Sequence, residues 1–293
     1  MRIFITGATG LIGSAVTAEL IAAGHSVAAL TRSETSAAKA RAAGADTVQG
    51  SLTDLDVLRD QATAADGVIH LAFGNDFSSP QALAADIADE TAALEVLGAA
   101  LLGSGKPLVT VSGTPQAEGR PATEADPLPT FGPVGGRSVT VDKILALADE
   151  GVRSSSIRLP RTVHNDGAGG FAGLLTQIAR QSGVAGYPGD GAQRWPAVHA
   201  LDAAVLFRLA VEKAPGGTAW HAVADEGDTV KDIMTVVGRR LDLPVAERPA
   251  ENFGPLAPIF LADQPASSAR TRAESGWQPT RPSLLVDLEN IQP

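Results

Sequence analysis

The sequence predicts an α/β fold: a doubly wound parallel sheet with a smaller C-terminal substrate lobe. Strand-like apolar segments alternate with helical segments from residue 1 to Pro160, which is typical of such a sheet. A glycine-rich turn joins the first strand to the first helix, and after Pro160 the composition changes to segments rich in glycine and proline. We therefore expect a sheet domain over residues 1–163, to which residues 197–224 return, and a lobe over most of residues 164–293.

The first fourteen residues contain a short strand rich in Ile and Phe, a turn and the start of a helix. Gly7, Gly10 and Gly13 follow the strand at a spacing of three. Gly7 permits the tight turn, Gly10 lets the backbone approach a pyrophosphate, and Gly13 lets the helix pack closely on the sheet. Backbone amides at the helix start would face the phosphates. The turn is therefore predicted to bind a dinucleotide through Gly7, Thr9, Gly10, Leu11, Ile12 and Gly13.

The end of the second strand, Ser26–Leu30, is predicted to select the cofactor. An acidic residue about 20 residues after the glycines would hold a ribose 2′-hydroxyl, whereas an arginine there suits a 2′-phosphate. Here Arg32 is flanked by the hydroxyls of Thr31 and Ser33, and the first acidic residue after the second strand is Glu34. Because a guanidinium donates two hydrogen bonds to one phosphate, the sequence favours NADP over NAD. The alternative is that Arg32 is a solvated loop residue.

Three further strands are predicted before residue 113: Asp46–Gln49, Gly67–Ala72 and Leu108–Ser112. Leu52 follows the third strand, where an adenine edge is usually met, and Leu71 and Ala72 at the end of the fourth are counted with it as cofactor contacts. His70 lies in the fourth strand and is expected to pack in the core rather than act in catalysis. A long alanine-rich helix is predicted from near Pro80 to Leu102.

Residues 113–137 contain five prolines and are predicted to form a long loop. Thr140–Glu150 is predicted to be helical and Ser154–Leu159 to be the sixth strand. In the second half, Val198–Lys213 is expected to form a strand followed by a helix, with Asp202 as the N-cap of that helix.

Composition excludes several classes of function. The net charge of −10 argues against a nucleic-acid surface or an anionic membrane as partner. No apolar run approaches the roughly 20 residues that span a bilayer, and the start does not resemble a signal peptide. The absence of cysteine excludes disulfides, and the five scattered histidines make a metal site unexpected. A cytoplasmic protein with a small-molecule substrate is expected.

Four segments together resemble the extended short-chain dehydrogenase/reductase superfamily: Thr6-Gly-Ala-Thr-Gly-Leu-Ile-Gly13, Val68-Ile-His-Leu-Ala72, Val109-Thr-Val-Ser-Gly113 and Arg158-Leu-Pro160. The segment from Arg194 to Asp202 resembles the stretch beside the substrate pocket of that family. The resemblance implies a Rossmann fold, an NAD(P) cofactor with Pro160 and Val163 near the nicotinamide, and dehydrogenase, epimerase or dehydratase chemistry. It also implies a homodimer through the helices near 83–102 and 140–150.

The catalytic part of the resemblance is incomplete. The chemistry of that family uses a hydroxyl residue after the fifth strand, then a tyrosine with a lysine four positions later. Lys143 occupies a plausible lysine position, but Val139 stands four residues before it, and the only tyrosine of the chain is Tyr187. Valine cannot donate a proton. The chain therefore resembles an atypical member with an intact cofactor half and an altered catalytic half.

The proposed catalytic roles follow from what remains. Ser112 or Thr114 would hold the substrate oxygen, and Lys143 would still orient the nicotinamide ribose. The proton would come from His164, Tyr187 or water. His164 follows the Pro160 loop and is of a type that titrates near neutrality. The alternative to a catalytic role for Tyr187 is that it is a surface residue.

Three residues are assigned to substrate binding. Arg194 and Trp195 would clamp a flat polar substrate, with a core position as the alternative for Trp195. His199 would contact the substrate or serve as a structural hydrogen-bonding group. The sequence thus predicts an NADP-dependent oxidoreductase that reduces a carbonyl or related group. The alternatives are a non-catalytic NADP-binding redox sensor and, with less support, a nucleotide-sugar epimerase or dehydratase.

Overall fold

The computed structural model of the chain describes residues 1–74, 76, 78–130 and 134–292. The strands are β1 Arg2–Thr6, β2 Ser26–Thr31, β3 Asp46–Gln49, β4 Gly67–His70, β5 Pro107–Gly113, β6 Arg153–Leu159, β7 Thr162–His164, β8 Ala185–Pro188, β9 Arg194–His199, β10 Thr218–His221, β11 Asp225–Thr229 and β12 Val245–Arg248. The α-helices are α1 Leu11–Ala22, α2 Glu34–Ala42, α3 Leu55–Ala64, α4 Pro80–Ala100, α5 Gly135–Ala146, α6 Gly170–Ser182, α7 Ala200–Lys213, α8 Val230–Leu241, α9 Ala257–Phe260, α10 Ala269–Ser275 and α11 Leu284–Asp287. Short 3₁₀ helices cover Leu147–Glu150, Ala250–Leu256 and Leu288–Asn290.

The chain forms two compact units. The first comprises Met1–Ser112, Leu128–Arg158 and Ala204–Trp220, and the second comprises Gly113–Pro127, Leu159–Ala203 and His221–Pro293. Residues 113–127 thus group with the second unit, and Ala204–Trp220 groups with the first. The expected domain bounds at residues 163 and 197–224 stay a prediction.

The first unit is built on a seven-stranded sheet with the order β10-β6-β5-β4-β1-β2-β3. The pairings β1–β2, β1–β4, β2–β3 and β4–β5 are parallel. The central strands β1, β4 and β5 are mostly buried, and Phe4, Val68 and Leu108 pack with Leu94 of α4 in one apolar cluster. A parallel sheet with helices joining its strands is the predicted α/β fold, so this prediction is confirmed.

The strand order reverses at β1, because β2 and β3 extend the sheet on one side and β4, β5 and β6 on the other. Such a reversal leaves a crevice at the carboxyl ends of the strands, where open α/β sheets bind their ligands. The predicted glycine turn follows β1 and therefore lies at this crevice.

The second unit contains two small sheets. In one, β9 lies between β7, which is parallel to it, and β11, which is antiparallel. In the other, β8 pairs in parallel with β12. Its core is an apolar cluster from α6, α8, β9 and the 3₁₀ and α9 segments, with the rings of Trp195, Phe171 and Phe260 in mutual contact.

Two local expectations differ from the structure. Helix α5 begins at Gly135, whereas Thr140 was the predicted start, and residues 131–133 of the predicted loop lie outside the described residues. Asp202 was wrongly predicted as an N-cap, because α7 already begins at Ala200. The buried carboxylate of Asp202 instead accepts hydrogen bonds from the backbone N–H groups of Thr280 and Arg281.

None of the helices within the described ranges combines the length and the apolar character that crossing a bilayer requires.

Candidate functional site

The turn after β1 packs tightly on the chain that follows β4. Gly7 has a φ of +75°, and a Cβ atom there would lie 2.8 Å from the backbone N of Ala72 and from the carbonyl carbon of Leu71. The hydroxyl oxygen of Thr6 accepts hydrogen bonds of 3.2 Å from the N–H groups of Leu71 and Ala72. Glycine is therefore required at residue 7 by both backbone conformation and space.

Gly13 and Gly10 have different surroundings. A Cβ atom on Gly13 would lie 2.0 Å from the carbonyl oxygen of Gly7, so this glycine lets α1 meet the turn. A Cβ atom on Gly10 would meet only that same oxygen, at 3.6 Å, and would otherwise enter open space. Gly10 is the N-cap of α1, and no side chain caps this helix. The N–H groups at the start of α1 are thus available to an anion.

A cleft of about 550 Å³ opens beside this turn. Its lining comes from the glycine turn, the end of β2, the chain segments after β3 and β4, and α4. Of the predicted cofactor contacts, those that line the cleft are Gly7, Thr9, Gly10, Arg32, Ser33, Leu52, Leu71 and Ala72. Those that do not line it are Leu11, Ile12, Gly13, Thr31 and Lys143 in the first unit, and Pro160 and Val163 in the second.

The end of β2 presents hydrogen-bond donors to the cleft. The exposed guanidinium of Arg32 forms no hydrogen bond or ion pair with any other residue that the structure describes, whereas the acid nearest in sequence, Glu34, pairs with Arg41. Ser33 caps α2 by accepting a hydrogen bond from the N–H of Ser36, and both serines line the cleft. An unpaired guanidinium, two hydroxyls and a helix N-terminus form a donor set that fits a phosphate.

The adjacent wall is shaped by the chain after β3. Ser51, Leu52 and Thr53 line the cleft there. The carboxylate of Asp54 accepts hydrogen bonds of 2.7 Å from the backbone N–H of Ser51 and 2.8 Å from its hydroxyl. These bonds lower the pKa of Asp54 and hold the turn in place. The apolar side chain of Leu52 thus lies against a fixed turn, as a surface for a flat base requires.

Arg137 and Glu90, which the sequence did not indicate as site residues, form a hydrogen-bonded pair next to Phe73 at the other end of the cleft. The Arg137 guanidinium lies 4.0 Å from the ring centroid of Phe73, which lines the cleft. It donates hydrogen bonds of 2.6 and 2.7 Å to the two carboxylate oxygens of the buried Glu90. The one feature of the sequence that could have indicated this pair is the charged Glu90 within the alanine-rich helix α4.

His70 is buried, as expected, in the strand beside this pair. Its Nδ1 atom lies 3.0 Å from the hydroxyl oxygen of Thr6. Burial, and secondly the positive charge of Arg137, lower the pKa of His70 to about 3. The ring is therefore neutral at physiological pH.

Lys143 does not reach the cleft. Its ammonium is exposed and lies 3.6 Å from a carboxylate oxygen of Glu95 on α4. Val139, one turn earlier on α5, is 41% exposed. The structure thus pairs Lys143 with Glu95 outside the lining of the cleft, and its role at the nicotinamide ribose stays a prediction. Lys143 and Arg137 are six residues apart and project from different faces of one helix, which the sequence alone did not reveal.

The predicted hydroxyl residues are both buried. The Ser112 hydroxyl on β5 lies 3.0 Å from that of Ser156 on β6. Thr114 belongs to the second unit, where its N–H donates to the carbonyl oxygen of Leu159 and its own carbonyl accepts from Gln264.

His164 is part of a buried hydrogen-bonded group in the second unit. Its Nδ1–H group donates to Asp287 at 2.9 Å, and the same carboxylate accepts from the backbone N–H groups of Asp166 and Gly167. The His199 ring lies 5.3 Å away, edge to face, and its Nδ1 accepts from the N–H of Leu201. Burial, followed by the charge of His164, lowers the pKa of His199.

The predicted substrate clamp is not formed. Arg194 donates two hydrogen bonds to Asp263, at 3.1 and 2.8 Å, so its guanidinium already has a carboxylate partner. Trp195 is fully buried in the core of the second unit, where its indole N–H donates to the carbonyl of Ala262. Tyr187 on β8 is partly buried against the same core, with Lys231 Nζ 5.9 Å from its ring centroid.

Comparison with known proteins identifies the family. Residues 3–222 match the model of the NAD dependent epimerase/dehydratase family. An uncharacterized protein of Schizosaccharomyces pombe is 43% identical, with 98% of each chain covered. An uncharacterized protein of Saccharomyces cerevisiae is 41% identical over the same share of each chain. The UDP-glucose 4-epimerase of Streptomyces lividans is 26% identical over 97% of this chain and 93% of its own.

Solved structures share the fold. A UDP-glucose 4-epimerase of Thermotoga maritima, determined with UDP-glucose, superimposes with a TM-score of 0.80 at 20% identity, covering 99% of this chain and 97% of that one. A Stenotrophomonas maltophila UDP-glucose 4-epimerase with bound NAD superimposes with a TM-score of 0.78 at 19% identity, covering 99% and 96%. Together with the glycine turn and its cleft, these matches show that the chain belongs to the NAD-dependent epimerase/dehydratase family, within the extended short-chain dehydrogenase/reductase superfamily.

Proposed function

We propose that the protein is an NADP-dependent oxidoreductase that reduces a carbonyl or related group of a small organic molecule. The observation that carries the choice of cofactor is the exposed Arg32 guanidinium at the cleft, which has no partner within the described ranges. The acid nearest to Arg32 in sequence, Glu34, pairs with Arg41, and the aspartates that line the cleft, Asp86 and Asp89, come from α4 and not from the end of β2. Family membership supports the reaction class.

Different residues of the cleft bind different parts of such a cofactor. Gly7, Gly10 and the first N–H groups of α1 receive the pyrophosphate, since Gly10 leaves the space in front of them open. Arg32, with Ser33 beside it, binds the 2′-phosphate. Leu52 faces the adenine. When bound, NADPH would supply the hydride.

The proposed catalytic roles are those of Ser112 or Thr114 for the substrate oxygen and of His164, Tyr187 or water for the proton. Because His164 donates its Nδ1–H to Asp287, its Nε2 atom can deliver a proton only when both ring nitrogens are protonated. That Nε2 atom is buried and has no hydrogen-bond partner in the described part of the chain. Replacing His164 by Ala and following single-turnover hydride transfer distinguishes it from Tyr187 and water.

The test of the cofactor is the variant Arg32→Asp. We expect the wild type to bind NADPH more tightly than NADH, and the variant to lose about tenfold to one hundredfold in NADPH affinity while retaining NADH, because charge-assisted hydrogen bonds to the phosphate are lost. Arg59→Asp is the matched control, since Arg59 is exposed on α3, pairs with Asp56 and does not line the cleft. Fluorescence titration measures both affinities. Unchanged selectivity in Arg32→Asp would refute the assigned role.

A non-catalytic NADP-binding sensor is the second candidate, favoured by the exposed Val139 in place of a tyrosine. A panel of ketones, aldehydes and enones with NADPH distinguishes the two. Turnover of any member supports the reductase, whereas tight NADPH binding without turnover supports the sensor.

A nucleotide-sugar epimerase or dehydratase is the third candidate, supported by the Streptomyces lividans relative. It predicts conversion of UDP-glucose without net consumption of NADPH. The homodimer through the helices near 83–102 and 140–150 and the cytoplasmic location stay predictions. Sedimentation of the purified chain tests the first.

A further inference from the structure

Arg161, between β6 and β7 in the second unit, carries a guanidinium with no counterion among the described residues. Its Nε atom is buried without a hydrogen-bond partner, and no other residue of the described ranges forms a hydrogen bond or an ion pair with its side chain. All 33 Asp and Glu residues of the chain belong to the described part, so no acidic side chain is left to be its partner. Two carboxylates of the second unit already pair with other arginines: Asp263 binds Arg194, and Glu274 binds Arg270.

The position of Arg161 is held by its backbone. Its carbonyl oxygen accepts a hydrogen bond of 3.3 Å from the N–H of Phe171, and its guanidinium lies 5.5 Å from the centroid of the Phe171 ring. Gly170 packs so closely on this segment that a Cβ atom there would lie 2.6 Å from the Cα of Thr162. The Phe171 ring in turn contacts Trp195 and Phe260 in the core. The guanidinium is therefore presented from a rigid apolar platform.

An anion at this guanidinium would offset the cost of its partial burial. Burial of a cation without a partner costs free energy, and a cation–π contact offsets only part of that cost. Burial lowers the pKa of Arg161 to about 10, which still leaves the guanidinium charged at neutral pH. In a poorly solvated setting the attraction between a guanidinium and an oxyanion is much stronger than in water.

We propose that Arg161 binds an oxyanion of the ligand of this protein, and that the substrate is consequently an anionic small molecule carrying a carboxylate or a phosphate group. That the ligand is a substrate rests on the proposed function, whereas the anion site itself does not. Arg161 takes the place of Arg194 and Trp195 as the specificity-determining residue, because both of these are used to hold the second unit together.

The experiment measures thermal unfolding of the full chain without cofactor, at constant ionic strength, with sodium benzoate and inorganic phosphate as separate probes. We expect the unfolding temperature of the wild type to rise with at least one probe. Arg161→Met should weaken that binding about tenfold or more, and Arg161→Lys should retain part of it, since lysine keeps the charge without the bidentate geometry. Without any probe, Arg161→Met should be at least as stable as the wild type, because it removes a partly buried charge that has no carboxylate partner among the described residues.

Two controls isolate the site. Arg270→Met removes an exposed arginine that has its own partner and should keep the response of the wild type. Phosphate can also bind at Arg32 in the cleft of the first unit, so the relevant response is the part that Arg161→Met removes and Arg32→Asp retains. A response to benzoate alone indicates a carboxylate ligand, and a response to phosphate alone indicates a phosphorylated one.

The proposal is overturned if neither probe stabilises the wild type, or if Arg161→Met keeps the full response. In case the variants unfold, the ¹⁵N–¹H resonance of Arg161 Nε in the wild type gives a second readout, because it should shift on addition of the effective probe and stay unchanged if the site does not exist. A protein that binds benzoate at Arg161 but not NADPH at Arg32 would refute the proposed function and leave the anion site standing.

Discussion

Alanine substitutions of two glycines in the turn after β1 should separate cofactor binding from stability. At Gly10, the new methyl group would meet only the carbonyl oxygen of Gly7, at the ordinary contact distance of 3.6 Å, and φ is −74°. At Gly13, it would lie 2.0 Å from that oxygen and 2.9 Å from the carbonyl carbon of Ala8. Both neighbours of Gly13 are backbone atoms, which cannot rotate away.

The expected magnitudes follow from these distances. In Gly10→Ala, the poorer N-cap costs about 0.5 to 1 kcal/mol, and the lower entropy of the unfolded chain offsets about 0.4 to 1 kcal/mol. The free energy of unfolding should thus change by less than about 1 kcal/mol. In Gly13→Ala, the overlap should cost about 3 kcal/mol or more, because the helix must move off the turn. Only the methyl group at Gly10 points into the space proposed for the pyrophosphate, so Gly10→Ala should weaken NADPH binding by about tenfold to one hundredfold.

The assay combines chemical denaturation with fluorescence titration of NADPH for both variants. Gly24→Ala serves as a control for the loss of a glycine, since a Cβ atom there meets nothing within 4 Å, although its φ of +85° adds backbone strain. Wild-type NADPH affinity in Gly10→Ala would refute the location of the pyrophosphate. Wild-type stability in Gly13→Ala would refute the packing of α1 on the turn.

Two further predictions concern pH. Burial, with Asp225 and Asp232 nearby, raises the pKa of Asp228 to about 6, so its contribution to stability is lost as pH rises from about 3.8 to 6. Asp228→Asn should therefore raise the free energy of unfolding at pH 7 by about 1 to 2 kcal/mol, a value that is reduced because the group is partly exposed. An equal stabilisation at pH 3.5 would contradict this prediction. For His70, whose pKa is lowered from 6.5 to about 3, the neutral ring is favoured in the fold, so stability falls as pH drops below 6.5. Between pH 6.5 and 5 the free energy of unfolding of the wild type should fall by about 2 kcal/mol, and that of His70→Asn should not show this fall. Chemical denaturation at each pH measures both.

The sequence predicted the sheet and the cofactor end of the site because both depend on local requirements. A tight turn, an open approach and a close packing contact each require glycine, and all three fall within seven residues. Alternating strand and helix patterns determine the order of the sheet with few alternatives. Arg32 could be proposed as a cofactor contact for the same reason, since its position is counted along the chain from the glycines.

The substrate end could not be predicted, because it depends on which residues meet across long stretches of chain. Arg194 and Asp263 are 69 residues apart, and their pairing removed a predicted substrate contact. Arg137 and Glu90, 47 residues apart, pair beside the cleft, whereas Lys143 points elsewhere. A side chain's type shows what it can bind, but not whether a partner is already present.

The sequence by itself thus determined the α/β class and the glycine turn, and it led to the proposal that Arg32 selects NADP, since short-range backbone and spacing rules specify all three. Only the tertiary structure decided that Trp195 is core, that Arg194 is paired and that Arg161 is not. The physical reason is that burial and charge pairing are properties of the packed chain, and a guanidinium becomes a binding site only where folding has left it without a carboxylate.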